Sequence, residues 1–242
     1  MNLPKSSLTR TLTLAGAFAL AIPAFSYTPP ETQKSITPQA AFEELLAGNT
    51  RFVAGTSRHR DLSDEVRLSS TGQYPFATVL ACLDSRTGVE FMFDQGIGNV
   101  FVGRVAGNFA NTDLIGSFEF SHRLAGSKVL VVVGHTACGA VKGACDGAKL
   151  GNLTATLANI KPAIEMVPSD VTPRSAANSH FVQMVADANV RLTVSRILEE
   201  SAVLRAMVEA GELGIIGGMY DLATGKVTFF PDTAHNLTLP EV

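Results

Sequence analysis

The chain has 242 residues, of which 46% are hydrophobic, and its 19 Lys and Arg against 22 Asp and Glu give a formal net charge of −3. This composition is typical of one globular domain with a sizeable core, and the absence of a basic surplus argues against nucleic acid and anionic membrane surfaces as partners. The three cysteines are too few for the disulfide framework of a small exported domain.

Residues 1–26 have the layout of a secretory signal peptide. Lys5 and Arg10 precede an uncharged apolar run over residues 12–25, and small residues flank Phe25 at a cleavage site. The run is too short to span a bilayer comfortably, which disfavours the alternative of an uncleaved membrane anchor. We therefore expect an exported protein, periplasmic or secreted, with no stable membrane insertion.

The segment after the signal, residues 27–36, is rich in Pro, Ser and Thr and is expected to be a flexible arm. Thr37 followed by Pro38 has the pattern of a helix start, so an amphipathic helix should follow. A polar loop with a short helix over residues 63–68 comes next. We expect residues 37–242 to form a single domain.

Apolar runs rich in β-branched residues predict three buried parallel strands, at residues 76–83, 100–105 and 128–134. Helical patterns between and after them predict helices near residues 88–93, 112–126, 138–148, 152–166 and 176–209. In the last of these we expect a break near Asn189. A C-terminal hairpin is predicted from two further strands, at residues 213–220 and 227–230. The alternation predicts an α/β fold, a mostly parallel sheet flanked by helices with an antiparallel C-terminal edge.

Two of the predicted strands end in side chains that bind metals. Cys82 closes the first strand, and His135 and Cys138 follow the third. Because ligand sites of open α/β sheets lie beyond the carboxyl ends of the strands, we expect these three side chains to converge. Two thiolates and an imidazole suit Zn²⁺, and three protein ligands leave the fourth position that a catalytic zinc keeps open. Cys145 is expected to be a small buried residue rather than a ligand.

Asp84 and Arg86 add a charged pair to this predicted site. Two residues apart on an extended segment, they can point the same way, and an arginine fork holds a carboxylate in a fixed orientation. Asp84 is also close enough in sequence to Cys82 to reach the metal. It could serve as a fourth ligand or as an acceptor for the proton of a zinc-bound water, and the plainer alternative is a structural ion pair.

Two short motifs together resemble the signature of the β-class carbonic anhydrases, Cys82-x-Asp84-Ser85-Arg86 and His135-x-x-Cys138-Gly139. The resemblance runs over about residues 73–139 and implies the Rossmann-like fold of that family. It further implies a Zn²⁺ ion held by the two cysteines and the histidine, with the aspartate and the arginine as the catalytic dyad. The implied reaction is the reversible hydration of CO2 to bicarbonate and a proton by zinc-bound hydroxide. Residues 37–242 would then be a single zinc-dependent catalytic domain.

The resemblance also points to a subtype and to an assembly. Gln73 and Phe101 match the plant-like members whose zinc site is open, whereas Val79 and Ala81 replace the tryptophan and glycine of the closed members. We therefore expect Asp84 to lie off the metal and to be a fourth ligand only in a closed state. The family further implies a homodimer or a higher homo-oligomer, with active sites at the subunit interface.

Three residues are assigned to substrate binding. By resemblance, Gln73 donates a hydrogen bond to a substrate oxygen, and Phe101 contributes to an apolar slot for the uncharged substrate. Gly139, at a predicted helix start, can offer its amide to the developing bicarbonate. The tyrosine that open members carry in the following helix is Phe120 here, which alters the hydrogen bonding expected in the pocket.

Two alternative functions stay open at this point. Relatives with the same zinc ligands hydrolyse carbonyl sulfide or carbon disulfide, and the site residues alone do not separate these substrates from CO2. A non-catalytic zinc-binding protein is the second alternative. Asp84 and Arg86 count against it, because a structural site would supply a fourth cysteine or histidine.

Overall fold

The computed structural model describes residues 27–240. Its centre is one five-stranded sheet with the strand order β2-β1-β3-β4-β5. The strands are β1 (Ala77–Cys82), β2 (Val100–Val105), β3 (Val129–His135), β4 (Gly214–Tyr220) and β5 (Val227–His235). The first four are parallel, and β5 runs antiparallel to β4. The predicted mostly parallel α/β sheet with an antiparallel C-terminal edge is therefore confirmed.

Helices cover both faces of the sheet. Those before the third strand are α1 (Pro30–Ser35), α2 (Pro38–Val53), α3 (Leu62–Ser69), α4 (Val89–Met92) and α5 (Thr112–Glu119), which continues as a π-helical turn (Phe120–Leu124). Those after it are α6 (Gly139–Cys145), α7 (Leu153–Ala158), α8 (Lys161–Met166), α9 (Ser179–Glu200) and α10 (Ala202–Glu209).

The core is double because strand side chains alternate between the two faces. In β1, Leu80 and Cys82 join the cluster packed under α9, whereas Val79 and Ala81 join the cluster packed under α2. Strands β1, β3 and β4 are buried at every position. The edge strand β2 is instead half-exposed along its length, so this edge of the sheet is uncovered in a single chain.

Helix α9 packs directly on two strand positions that carry no side chain. A Cβ at Gly134 of β3 would lie 2.7 Å from Val190, and a Cβ at Gly217 of β4 would lie 2.6 Å from the same side chain. Both distances are too short for real contacts, so the isopropyl group of Val190 occupies the space that two glycines leave. The helix is thereby held against the carboxyl half of the sheet.

The segment 27–36, which was expected to be a flexible arm, is instead packed against the domain, and that expectation is wrong for the described structure. It contains α1, and the buried Gln33 donates hydrogen bonds from Nε2 to the carbonyl oxygens of Pro75 at 2.8 Å and Ala125 at 2.7 Å. Composition alone indicated a loose segment, because these partners lie 42 and 92 residues away in sequence.

The long C-terminal helix breaks at a different residue from the one expected. Helix α9 passes through Asn189 without interruption. The break is at Ser201, whose extended backbone (φ −113°, ψ 104°) ends α9 and whose side chain accepts a hydrogen bond from the Leu204 amide to start α10. The polar residue that suggested a break faces inward, with 1% of its surface exposed.

The predicted signal peptide, residues 1–26, lies outside the described residues. Within residues 27–240, no helix has both the length and the apolar character needed to cross a membrane.

Candidate metal centre

Two neighbouring parallel strands carry the predicted ligands to the same edge of the sheet. Cys82 is the last residue of β1 and His135 the last residue of β3, and the two strands are in register through Ala81 and Val133. Immediately after β3 the backbone turns through Ala137 in a left-handed conformation (φ +55°). Non-glycine residues seldom adopt this conformation, and it is frequent at functional sites.

The three predicted ligands meet at one point. Atoms of Cys82, His135 and Cys138 that can bind a metal all lie within 4.8 Å of one another, and all three side chains are buried. The two sulfur atoms are 3.9 Å apart. A tetrahedral zinc ion with Zn–S bonds near 2.3 Å would hold two sulfurs about 3.8 Å apart. The cluster therefore has the size that Zn²⁺ requires.

His135 is oriented as a metal ligand would be. Its Nδ1 lies 2.9 Å from the carbonyl oxygen of Thr136, which can only accept, so Nδ1 carries the hydrogen and Nε2 the lone pair. Nε2 is buried and has no hydrogen-bond partner in the described chain. A buried polar atom without a partner costs folding free energy, whereas a metal bond would satisfy it.

The two thiols differ in acidity. The hydrogen bond with Cys138 lowers the pKa of the Cys82 thiol, and the Gly107 amide acts in the same direction against the opposing effect of burial. The Gly107 N–H lies 3.3 Å from Cys82 Sγ. The same thiol contact, together with burial, raises the pKa of Cys138. One sulfur is thus poised as a thiolate, which is the form that binds zinc.

Asp84 and Arg86 form a two-pronged ion pair beside the cluster. Arg86 donates from Nε to Asp84 Oδ1 at 2.9 Å and from Nη2 to Oδ2 at 2.7 Å, and its backbone amide donates to Oδ1 at 3.0 Å. These bonds hold the pKa of Asp84 well below its usual range. Asp84 Oδ2 also lies 3.8 Å from His135 Nε2. The carboxylate is therefore ionised, adjacent to the ligands and engaged with arginine.

The remaining predicted site residues divide into two groups. Gly139, the first residue of α6, directly follows Cys138. Phe101 is paired with Thr78 in the sheet, whereas Cys82 is paired with Val105, which separates the aromatic ring from the metal ligands by about 13 Å along the strand.

Gln73 is exposed and precedes the same far end of β1. One chain thus brings the candidate metal ligands together with Asp84 and Arg86, with Gly139 next in sequence to Cys138, but not Gln73 and Phe101.

Sequence reasoning missed the side chains that hold the turn between Cys82 and Thr87. Arg104 on β2 donates from Nε to the Cys82 carbonyl at 3.0 Å and from Nη2 to the Asp84 carbonyl at 2.5 Å. The Thr87 hydroxyl lies 3.0 Å from the Cys82 carbonyl and 2.8 Å from the Asp84 carbonyl. The available signals were an arginine inside an apolar strand and a threonine directly after the motif.

A fourth cysteine or histidine is absent from the cluster as residues 27–240 describe it. Cys145 lies at the end of α6, half-buried, and burial raises the pKa of its thiol. The ligand set is therefore the three-residue type of catalytic zinc sites rather than the four-residue type of structural ones.

Comparison with known proteins gives a consistent result. A family model described as carbonic anhydrase matches residues 77–227. The chain is 36% identical to the carbonic anhydrase of Mycolicibacterium smegmatis over 192 residues, which cover 78% of this chain and 92% of the relative. It is 33% identical to carbonic anhydrase 2 of Mycobacterium tuberculosis over 190 residues, covering 78% and 91%.

Among solved structures, the β-carbonic anhydrase CafA of Aspergillus fumigatus is similar with a TM-score of 0.62 at 27% identity, covering 78% of this chain and 90% of that one. Together with the buried Cys-His-Cys cluster at the strand ends, which suits the zinc ion of such enzymes, these matches show that the chain belongs to the β-class carbonic anhydrases.

Proposed function

We propose that this enzyme catalyses the reversible hydration of CO2 to bicarbonate and a proton at the cluster of Cys82, His135 and Cys138, with Asp84 and Arg86 as its catalytic dyad. The observation that carries the proposal is the ionised Asp84 carboxylate, fixed by Arg86 and only 3.8 Å from the inward-facing nitrogen of His135. Stopped-flow measurement of CO2 hydration by the purified, zinc-loaded protein tests it, and absence of turnover above the buffer rate would refute it.

Zinc, when bound, would supply the Lewis acidity that makes a water easier to ionise. The protein's part is to orient that nucleophile. Because its pKa is held well below the usual range, Asp84 stays deprotonated at working pH and acts as a hydrogen-bond acceptor rather than as a store for the released proton. Arg86 fixes the orientation of the carboxylate group, because its paired N–H groups bind one oxygen each.

The same ion pair supports an open site. With both carboxylate oxygens engaged by Arg86, Asp84 is not free to become a fourth ligand, and a position remains for the nucleophile. The Gly139 amide, adjacent to Cys138 at the start of α6, is the backbone donor that we assign to the developing bicarbonate.

The assembly we propose is a homodimer or larger oligomer with shared active sites. Gln73 precedes β1 and Phe101 lies near the start of β2, at the end of the sheet opposite to the metal ligands of their own chain, so they can serve a zinc site only if a second copy brings them there. The half-exposed edge strand β2 and the exposed half of Phe120, which packs edge-on against Phe101 at 6.3 Å, offer a surface for that second copy.

Substrate and location complete the proposal. Assaying carbonyl sulfide and carbon disulfide beside CO2 on the same preparation separates the hydratase from a hydrolase of sulfur compounds, because all three would use the same zinc ligands. We also propose export through the signal segment at residues 1–26. N-terminal sequencing of the protein from the periplasm or culture medium of its host tests export, and a mature protein that retains Met1 in the cytoplasm would contradict it.

A further inference from the structure

Helix α9 carries one buried amide in the middle of its apolar face. Asn189 has 1% of its surface exposed and lies next to Val190, Val185 and Ala186 of the core. Its Nδ2 donates a hydrogen bond of 2.8 Å to the carbonyl oxygen of Gly107. A buried amide in an apolar environment is costly unless it is paired, so this contact accounts for the position of the side chain.

Gly107, the partner of that amide, also contacts a metal ligand. Its own N–H donates to Cys82 Sγ at 3.3 Å. The residue has a left-handed conformation (φ +89°), and a Cβ added there would lie 2.5 Å from Ile160, so only glycine fits this turn. One hydrogen bond therefore holds the peptide group after Gly107, and the peptide group before it points at sulfur.

We propose that Asn189 is a positioning residue of the zinc centre, which fixes the turn at Gly107 so that the Gly107 amide points at the sulfur of Cys82. An N–H donor at a ligand sulfur draws negative charge from it and so tunes how strongly that sulfur binds the metal. The inference rests on the proposed zinc centre, but it concerns metal binding and can be tested without measuring turnover.

Loss of the amide has a defined consequence. Without Asn189 the Gly107 carbonyl is buried and unpaired, and the turn can rotate to find another donor. Such a rotation moves the N–H away from Cys82. Groups that hydrogen-bond a metal ligand are worth about 10- to 100-fold in metal affinity, and Asn189 acts through one such group, the Gly107 amide.

The test compares zinc affinity in Asn189→Ala and Asn189→Leu with the wild type, by competition with a chromophoric chelator. We expect the dissociation constant for zinc to rise about tenfold or more, and the sulfur-to-metal charge-transfer band of the cobalt-loaded protein to shift. Thr193→Val is the matched control. Thr193 is buried one turn further along α9, and its hydroxyl donates to the Asn189 backbone carbonyl of the same helix at 2.7 Å.

The control should lower the melting temperature yet leave zinc affinity and the cobalt band unchanged. If the Asn189 variants lose stability but bind zinc like the wild type, the residue is merely structural and the proposal is overturned. A second measurement does not depend on variants. In wild-type protein loaded with ¹¹³Cd, a scalar coupling between cadmium and the Gly107 amide proton through Cys82 Sγ is expected, and its absence would also overturn the proposal.

These outcomes are independent of the proposed reaction. A wild-type protein that binds zinc but does not hydrate CO2 would refute the function and leave the effect of Asn189 on affinity to be decided by the same titrations.

Discussion

At the scale of single residues, Asp84 is the side chain whose state is most tightly determined by its neighbours. Three donor groups of Arg86 surround its two oxygens, and together they hold the pKa of the carboxyl well below its usual range. A charged carboxylate held beside three candidate metal ligands is the arrangement on which the proposed dyad rests.

Replacing Asp84 by Asn should leave zinc in place and slow catalysis. The amide is close to the carboxylate in size, but it has lost the negative charge and one of its two acceptor oxygens, so we expect kcat/KM to fall about a hundredfold or more. Stopped-flow CO2 hydration and metal analysis on the same sample measure the two effects. Full turnover with full zinc content would remove Asp84 from the mechanism.

Replacing Arg86 by Ala should release the carboxylate. Its pKa then rises toward the ordinary value, since the largest lowering contribution comes from Arg86. Asp84, whose Oδ2 lies 3.8 Å from His135 Nε2, is then free to turn onto the metal. We expect X-ray absorption spectroscopy of the zinc-loaded variant to report four protein ligands. A spectrum identical to that of the wild type would show that Arg86 does not keep the site open.

At the scale of elements, the π-helical turn Phe120–Leu124 contains a histidine that the metal centre does not use. His122 is buried, its Nδ1 lies 3.0 Å from the carbonyl oxygen of Ser127, and its Nε2 has no hydrogen-bond partner within residues 27–240. Burial lowers its pKa to about 4. The folded protein therefore holds this ring neutral at pH values where the unfolded chain protonates it.

The sign of the resulting pH dependence follows from linkage. Below about pH 6.5 the ring of His122 binds a proton in the unfolded state, whereas in the folded state it stays neutral down to about pH 4. The free energy of unfolding therefore falls as the pH falls through this window. We expect His122 to account for about 2 kcal/mol of the stability lost between pH 7.5 and pH 5. Urea unfolding at both pH values, compared between wild type and His122→Asn, isolates the effect.

The asparagine can donate from its amide in place of Nδ1 but does not titrate, so the variant should lose less stability on acidification than the wild type. Protonation of the metal ligands affects both proteins equally and cancels in the comparison. Equal losses in the two proteins would contradict the assignment to His122.

The elements also show what the sequence pattern could and could not predict. Strand positions and the convergence of Cys82, His135 and Cys138 followed from apolar periodicity and from the rule for parallel strand ends. Strand β5 extends to His235, beyond the predicted end at residue 230, because Pro231 is tolerated on an edge strand.

The helix break at Ser201 is a local cap that apolar periodicity did not reveal. The contacts of Gln33 and Asn189 instead depend on partners distant in sequence. A local sequence pattern does not identify such partners, because they come into contact only in the folded chain. The same limit hid Arg104, whose role is visible only once β2 lies beside β1.

At the scale of the whole molecule, the placement of Gln73 predicts complementation between defective subunits. A Gln73→Ala chain keeps its metal and dyad, and an Asp84→Asn chain keeps Gln73, so a mixed dimer contains one complete site. Refolding the two variants together at equal amounts should restore about a quarter of wild-type CO2 hydration. Each variant refolded alone is the control. A mixture no more active than the mean of the two variants would show that Gln73 does not contribute to the zinc site of the partner chain.

The contact of Val190 with Gly134 and Gly217 has a consequence for how substitutions in this protein are tolerated. The side chain that sets the spacing between helix and sheet is the immediate neighbour of Asn189, which reaches Gly107. A methyl group added at either strand glycine would push the helix outward and carry the amide with it. The packing of Val190 on the sheet and the position of the Asn189 amide are thus mechanically coupled.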